Sequence, residues 1–220
     1  MFSSKEHRMR SSKLASMPTI KRLPGYLHII EAARREGKEF ISGTVIAEEL
    51  ELEPIQVRKD LAVTGIVGKP RIGFPVEKLI EAINGFLQWN QVHNAVVVGA
   101  GNLGTALSGY PEFRRHGLNI VAALDTDLAK IDGQINKVPV YAMDDMKRCI
   151  DERHADLAIL TVPSPAAQET AELLIKAGIR AIWNFTNVKL KVPSGVMVQK
   201  EDLSSGYAVL SVKMGRRNHH

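Results

Sequence analysis

The sequence predicts an α/β protein of two domains: a small helical N-terminal domain with a short hairpin, then a larger domain built on a parallel sheet. Three observations carry that expectation. Apolar residues recur at helical spacing through the first third of the chain. Short apolar runs alternate with helical segments from Asn94 onward, and the pattern breaks over 88–93. A chain of 220 residues holds two domains of ordinary size, and its 45% hydrophobic content suits a protein that buries a core.

Residues 1–17 lack periodicity and read as a basic leader, with Lys5, Arg8, Arg10, Lys13, Lys21 and Arg22 facing only Glu6 within the first 22 positions. In a chain of net charge +5, such a leader either contacts phosphates, releasing condensed counterions, or is a solvated arm. The small domain is expected over 18–90. Its first helix runs from Thr19 to about Glu36 on Ile20, Leu23, Leu27, Ile30 and Ala33, and Gly37 ends it. Phe40-Ile41 is extended, Ser42 offers an N-cap, and a second helix passes through Val45, Ile46 and Leu50. Pro54 opens a third helix in its first turn, where a missing N–H costs nothing. That helix is expected to turn Ile55, Val57 and Leu61 inward and Gln56, Arg58, Lys59 and Asp60 outward. Gly65, Gly68, Pro70 and Gly73 punctuate a hairpin bearing Lys69 and Arg71, and an amphipathic linking helix follows over 76–87.

Two short helices joined by a tight turn suit a helix-turn-helix, and the basic hairpin suits a wing. On that reading Ser42, Gln56, Arg58, Lys59, Lys69 and Arg71 are candidate contacts to double-stranded DNA. Arg and Lys take phosphates or guanine edges, Gln reads adenine, and basic side chains on a wing suit a narrow minor groove. A helical packing or dimerisation domain satisfies the same pattern.

The second domain is expected over 91–202. Ala95-Val96-Val97-Val98 is a continuous apolar run, as a strand buried on both faces requires. Further strands are expected over 119–124, 138–142, 157–162, 181–185 and 196–199, with a helix over 166–177 among the connections. Alternating strands and helices imply a doubly wound sheet. The turn Gly99-Ala100-Gly101-Asn102-Leu103-Gly104 follows the first strand and opens a helix, the context that makes GxGxxG informative. Its glycines allow a tight turn, close approach of a pyrophosphate and helix–strand packing, so the domain reads as Rossmann-type. Asp125 lies 21 residues beyond Gly104, where a carboxylate accepts from the ribose hydroxyls and repels a 2′-phosphate, favouring NAD(H). Asp127 and Lys130 stand close enough in sequence to join that site. A tight turn whose strand-terminal Asp merely caps the next helix remains the alternative.

Composition narrows the classes further. No window approaches 18 uninterrupted apolar residues, and the leader lacks an apolar signal core, so a cytoplasmic protein without a membrane span is expected. Cys149 is the only cysteine, which excludes an internal disulfide and a cysteine-rich metal site. The rival to a binding protein is an NAD-dependent oxidoreductase or a nucleotide-binding ligase-like enzyme. Only 116 residues follow Gly104, too few for a substrate domain, and His93, His116 and His154 show no carboxylate partner in sequence. A cofactor-dependent module that binds protein rather than DNA is a third class.

The two halves together resemble the Rex family of redox-sensing transcriptional repressors. The segments that carry the likeness are Lys21-Arg22-Leu23-Pro24, Gln56-Val57-Arg58-Lys59-Asp60-Leu61, the glycine turn, Tyr110-Pro111-Glu112-Phe113, Val162-Pro163, Ala166-Ala167-Gln168, Ala177-Gly178-Ile179 and Asn184-Phe185. The resemblance implies a homodimer in which NADH and NAD+ compete for one site and NADH releases operator DNA. It implies nicotinamide sensing near Tyr110, Val162, Pro163, Asn184 and Phe185, and a C-terminal helix over 203–216 exchanged between subunits. It also implies a switch built on His28, Tyr110 and Asp202. His28 replaces the arginine usual in the family, and Gly68-Lys69-Pro70-Arg71 departs from the family's Gly-Lys-Arg-Gly wing.

Overall fold

The computed structural model describes residues 15–217, with side chains as far as 215; the basic leader up to Leu14 lies outside the described residues. The chain divides into two compact units, Met1–Gln91 and Val92–His220.

In the first unit, α1 (Met17–Arg35) begins two residues earlier than periodicity indicates, because the Ser16 side chain accepts from the Thr19 N–H. Its buried face carries Leu23, Tyr26, Leu27, Ile30 and Ala33. Strand β1 (Phe40–Ile41) leads to α2 (Gly43–Glu49), capped by the Ser42 side chain on the Val45 N–H, and then to α3 (Pro54–Ala62). Strand β2 (Phe74–Pro75) pairs antiparallel with β1, and α4 (Val76–Leu87) closes the core through Leu79, Ile80 and Ile83. Helix α3 corrects two expectations at once. Ile55 is 61% exposed, whereas Asp60 is 1% exposed. The inward stripe is Val57, Asp60 and Leu61, three and four residues apart, and it tolerates a carboxylate because donors from α1 and α3 surround it.

The second unit holds strands β3 (His93–Val98), β4 (Leu118–Asp125), β5 (Gln134–Ile135), β6 (Val138–Ala142), β7 (Leu157–Leu160), β8 (Ala181–Asn184) and β9 (Met197–Lys200). Their order is β5-β6-β4-β3-β7-β8-β9, parallel throughout except for the β5–β6 hairpin. The six parallel strands have the doubly wound order, which reverses at β3, and ligands of such sheets bind at that reversal. Helices α5 (Asn102–Ser108), α6 (Pro111–Arg115), α7 (Met146–Arg153) and α8 (Ala167–Ala177) make the connections. Alternation sorts the core. Val96, Val98, Leu124 and Leu160 pack with Cys149 and Leu174 on one face, while Ala95, Val97, Val140 and Ile159 pack on the other.

Periodicity misses β5 and α6. The hairpin turns on Asn136 and Lys137, both at positive φ, the geometry of a two-residue turn usually marked by glycine. Helix α6 is five residues long, too short for a repeating pattern. The last helix, α9 (Ser204–Arg217), keeps Leu203, Tyr207, Val209, Leu210, Val212 and Met214 exposed along and just before it. Among the described residues no helix is long and apolar enough to cross a membrane.

Candidate cofactor cleft and nucleic-acid interface

The first unit gathers most of its predicted DNA contacts. Ser42, Arg58, Lys69 and Arg71 share the lining of one groove of about 740 Å³, together with Ile66 and Phe74. The wing closes through the Lys69 N–H on the Gly73 carbonyl (2.8 Å) and the Gly73 N–H on the Lys69 carbonyl (3.0 Å). The Lys69 ammonium lies 4.8 Å above the Phe40 ring centre, and exposed Arg71 occupies the turn at φ +62°. Lys59 is exposed beside Arg58 but does not line the groove.

Gln56 is half-buried and does not line that groove. Its Nε2 donates to Asp60 Oδ1 at 2.9 Å. The same carboxylate accepts from Thr19 Oγ1 (2.9 Å), Arg22 Nε (2.6 Å) and Nη2 (3.0 Å), and Tyr26 Oη (2.6 Å). Burial pushes the Asp60 carboxyl up, but the donors, Arg22 and Tyr26 foremost, outweigh it and hold the group at about 2. Burial, then the bond to Asp60, raises the Tyr26 phenol to about 12. The bond to Asp60 also raises Arg22. Asp60 was missed as a site-building residue because an acidic side chain on a short helix reads as solvent-facing. Its one legible signal is the i, i+3 relation to Val57.

In the second unit the glycine turn lies at the carboxyl end of β3, beside the end of β7. Gly99 has φ +101°, and a Cβ there would stand 2.9 Å from the Thr161 carbonyl oxygen. A Cβ on Gly104 would run into the Gly99 carbonyl oxygen, so helix and strand approach as closely as the motif demands. Gly101, by contrast, has open space where its Cβ would be, which is the clearance a pyrophosphate needs. Thr161, which sequence reasoning did not single out, donates its hydroxyl towards the Val98 and Gly99 carbonyls at 3.0 and 2.8 Å and ties the two strand ends together.

Asp125 terminates β4 beside this turn. It accepts from the Ala100 N–H (2.7 Å) and the Asp127 N–H (2.9 Å), with Lys130 Nζ 3.3 Å away. Lys130 also pairs with Asp127 at 3.4 Å. Burial pushes the Asp125 carboxyl up, and the Asp127 and Ala100 N–H groups with Lys130 bring it below its ordinary value. The turn residues Gly99 to Gly104, Asp125, Asp127 and Lys130 thus form one cluster that fits a dinucleotide.

The expected nicotinamide-end residues divide. Val162 is half-buried and Pro163 exposed, both just after β7. Tyr110 is 51% exposed and meets Phe113 edge-on at 4.9 Å. Asn184 is fully buried, and its amide is already engaged: Nδ2 donates to the Val188 carbonyl, and Oδ1 accepts from the Thr186 N–H and hydroxyl. Half-buried Phe185 lies 5.1 Å from Trp183. Asp202 accepts from the Ser204 N–H and hydroxyl and so caps α9, bonds that hold its carboxyl below the ordinary range. His28 is exposed on α1 in the other unit.

Two histidines have carboxylate neighbours that the sequence did not reveal: His93 with Asp156 at 3.5 Å and His116 with Glu112 at 4.0 Å. The first partner is 63 residues away in sequence, and His93 begins β3, at the opposite end from the glycine turn. Cys149 is buried, and burial pushes its thiol up, away from the thiolate form that redox chemistry uses.

A winged helix-turn-helix joined to a Rossmann unit defines a DNA-binding regulator that carries a dinucleotide cleft. Residues 14–62 match the family "Putative DNA-binding protein N-terminus", and residues 90–188 match the CoA binding domain family. The chain is 57% identical, over 95% of its length and 100% of the relative, to the redox-sensing transcriptional repressor Rex of Treponema denticola. It is 36% identical to the Rex repressor of Bacteroides thetaiotaomicron over 91% of this chain and 90% of that one. Among solved structures it is similar to RSP, a Rex-family repressor, in complex with β-NAD+ and operator DNA (TM-score 0.84, 31% identity, 93% and 94% of the two chains). It is similar as well to RSP in complex with β-NADH (TM-score 0.83, 31% identity, 93% and 96%). The chain belongs to the family of Rex redox-sensing transcriptional repressors.

Proposed function

We propose that this protein represses transcription by binding operator DNA and leaves its operator when NADH occupies the Rossmann cleft. The observation that carries the reading is the Asp125 cluster: a carboxylate clamped on the Ala100 N–H at the end of the second parallel strand, beside an open Gly101. RSP, the solved neighbour, holds NAD+ together with operator DNA in one structure and NADH in another.

When bound, the dinucleotide supplies a nicotinamide ring whose charge depends on redox state. The chain's residues do the rest. The turn from Gly99 to Gly104 holds the pyrophosphate, Asp125 accepts from the ribose hydroxyls, and Lys130 yields its place on Asp125 as they arrive. Tyr110, Val162, Pro163 and Phe185 border the nicotinamide end, and Asn184 shapes the loop beneath them through its bonds to Thr186 and Val188. On DNA, Arg58 and Ser42 meet the major-groove face while Lys69 and Arg71 on the wing meet the adjacent minor groove; Lys59 takes a phosphate, and Gln56 positions Arg22 through Asp60.

The functional form is a homodimer in which α9 crosses to the partner, covering the apolar side chains from Leu203 to Met214 that one chain leaves bare. It acts in the cytoplasm as a regulator rather than a dehydrogenase. His28, Tyr110 and Asp202 form the switch. Moving the operator-bound fraction from 99:1 to 1:99 requires about 5.5 kcal/mol of differential NADH affinity, roughly 2.7 kcal/mol from each of two sites. The test is operator binding at one salt concentration with NADH and NAD+ titrated separately. NADH releases the operator at concentrations where NAD+ does not; equal insensitivity to both overturns the reading.

A further inference from the structure

The repressor reading leaves unexplained a polar bond at the end of a row of aromatic rings. Tyr110 packs against Phe113 at 4.9 Å between ring centres, Phe113 against Trp183 at 5.3 Å, and Trp183 against Phe185 at 5.1 Å. On the repressor reading the first and last of these rings border the cleft, and Trp183 lies between them on β8. Its indole Nε1 donates to Glu201 Oε1 at 3.2 Å. Glu201 is fixed from two further directions: its N–H donates to the Asn184 carbonyl at 2.9 Å, and its carboxylate accepts from Gln199 Nε2 at 3.2 Å. The next residue, Asp202, caps α9. A continuous series of contacts therefore runs from Tyr110 through Phe113, Trp183 and Glu201 to the start of α9.

We propose that Trp183, bonded to Glu201, is a positioning residue that transmits the state of the cleft to helix α9. The inference rests on the repressor reading above and adds to it the route by which the cleft acts on the dimer helix. The physical reason is the indole's double character. Its ring packs with the two aromatic neighbours at tilted angles of 54° and 48°, which a shift of either ring disturbs. Its N–H is a single directional donor, so rotation of the ring is read at once as a made or broken bond to a charged acceptor. An apolar residue in the same place would pack as well and report nothing. Glu201 sits one residue before the α9 cap, so losing its anchor frees the segment that sets the direction of α9.

The test compares operator affinity without cofactor, NADH affinity, and the factor by which saturating NADH weakens operator binding. In Trp183→Phe and Glu201→Leu the two affinities stay within about twofold of native, while the coupling factor falls about tenfold. Glu201→Gln keeps an acceptor oxygen and holds the factor within about threefold. The double variant Trp183→Phe with Glu201→Leu loses no more than either single one, because one bond is removed in each case. Native coupling in both single variants, additive losses in the double, or equal losses in Glu201→Gln and Glu201→Leu each overturn the inference. So does a fall in NADH affinity with the coupling factor unchanged, since that is ring packing alone. Failure of NADH to weaken operator binding by the native protein is a separate result, which overturns the repressor reading and this inference with it.

Discussion

Asp60 and Asp125 are both carboxylates ringed by donors, one in each unit, and the donors differ in kind. Asp60 is served by the side chains of Thr19, Arg22, Tyr26 and Gln56, which come from α1 and α3. Those bonds exist only while the two helices stay packed, so the carboxylate fixes the position of α3 against α1. At 1% exposure it leaves no room for a ligand. Asp125 is served by two backbone N–H groups, from Ala100 and Asp127, and by Lys130, whose side chain is 38% exposed. The Ala100 donor belongs to the glycine turn and the Asp127 donor to the segment just after β4. A buried carboxylate held by side chains builds a scaffold, while one held by backbone at a strand end keeps a lone pair available for a ligand.

Removing each carboxylate sharpens that contrast. Asp60→Ala leaves the Arg22 guanidinium and the Tyr26 and Thr19 hydroxyls without their acceptor and costs about 3–5 kcal/mol. Urea unfolding followed at Trp89, in a Trp183→Phe background, shows this loss in the first unit. Acid acts on the same group. Its folded value of about 2 lies below the ordinary 3.8, so its contribution is present above about pH 4 and disappears as the pH falls towards 2. The amount is about 2.5 kcal/mol, and Asp60→Asn flattens that part of the stability profile. Asp125→Ala acts on binding instead: calorimetry gives NADH affinity about 30-fold weaker, with cofactor-free operator affinity unchanged. Lys59→Gln has the smallest effect, a uniform weakening on all DNA sequences with the salt slope of log K reduced by about one, measured by gel shift at several salt concentrations. A variant that weakens NADH binding through Asp60, or unfolds the first unit through Asp125, breaks the comparison.

Much of the fold was legible because its signals are local. The apolar run over 95–98, the glycine turn and the helical stripes of α1 and α4 each declare themselves within a few residues. The elements that escaped have weak local signals: β5 turns on Asn136-Lys137 without a glycine, and α6 has five residues. In the site, the glycines and Asp125 were legible because motif spacing encodes their geometry. Asp60 was misjudged because the donors that draw it inward lie as far as 41 residues away. Thr161 and the His93–Asp156 pair escaped for the same reason, their partners being 62 and 63 residues distant.

The residue pattern was enough for the α/β class, the two-domain order, the dinucleotide motif and the family likeness, since each depends on spacing along the chain. Tertiary structure alone decided which carboxylate is buried, how Lys130 shares Asp125 with the glycine turn, and that Trp183 meets Glu201 beside the start of α9. Those outcomes depend on which distant segments the sheet and helices bring together. A polar side chain is stable inside a protein only where such packing delivers its partners.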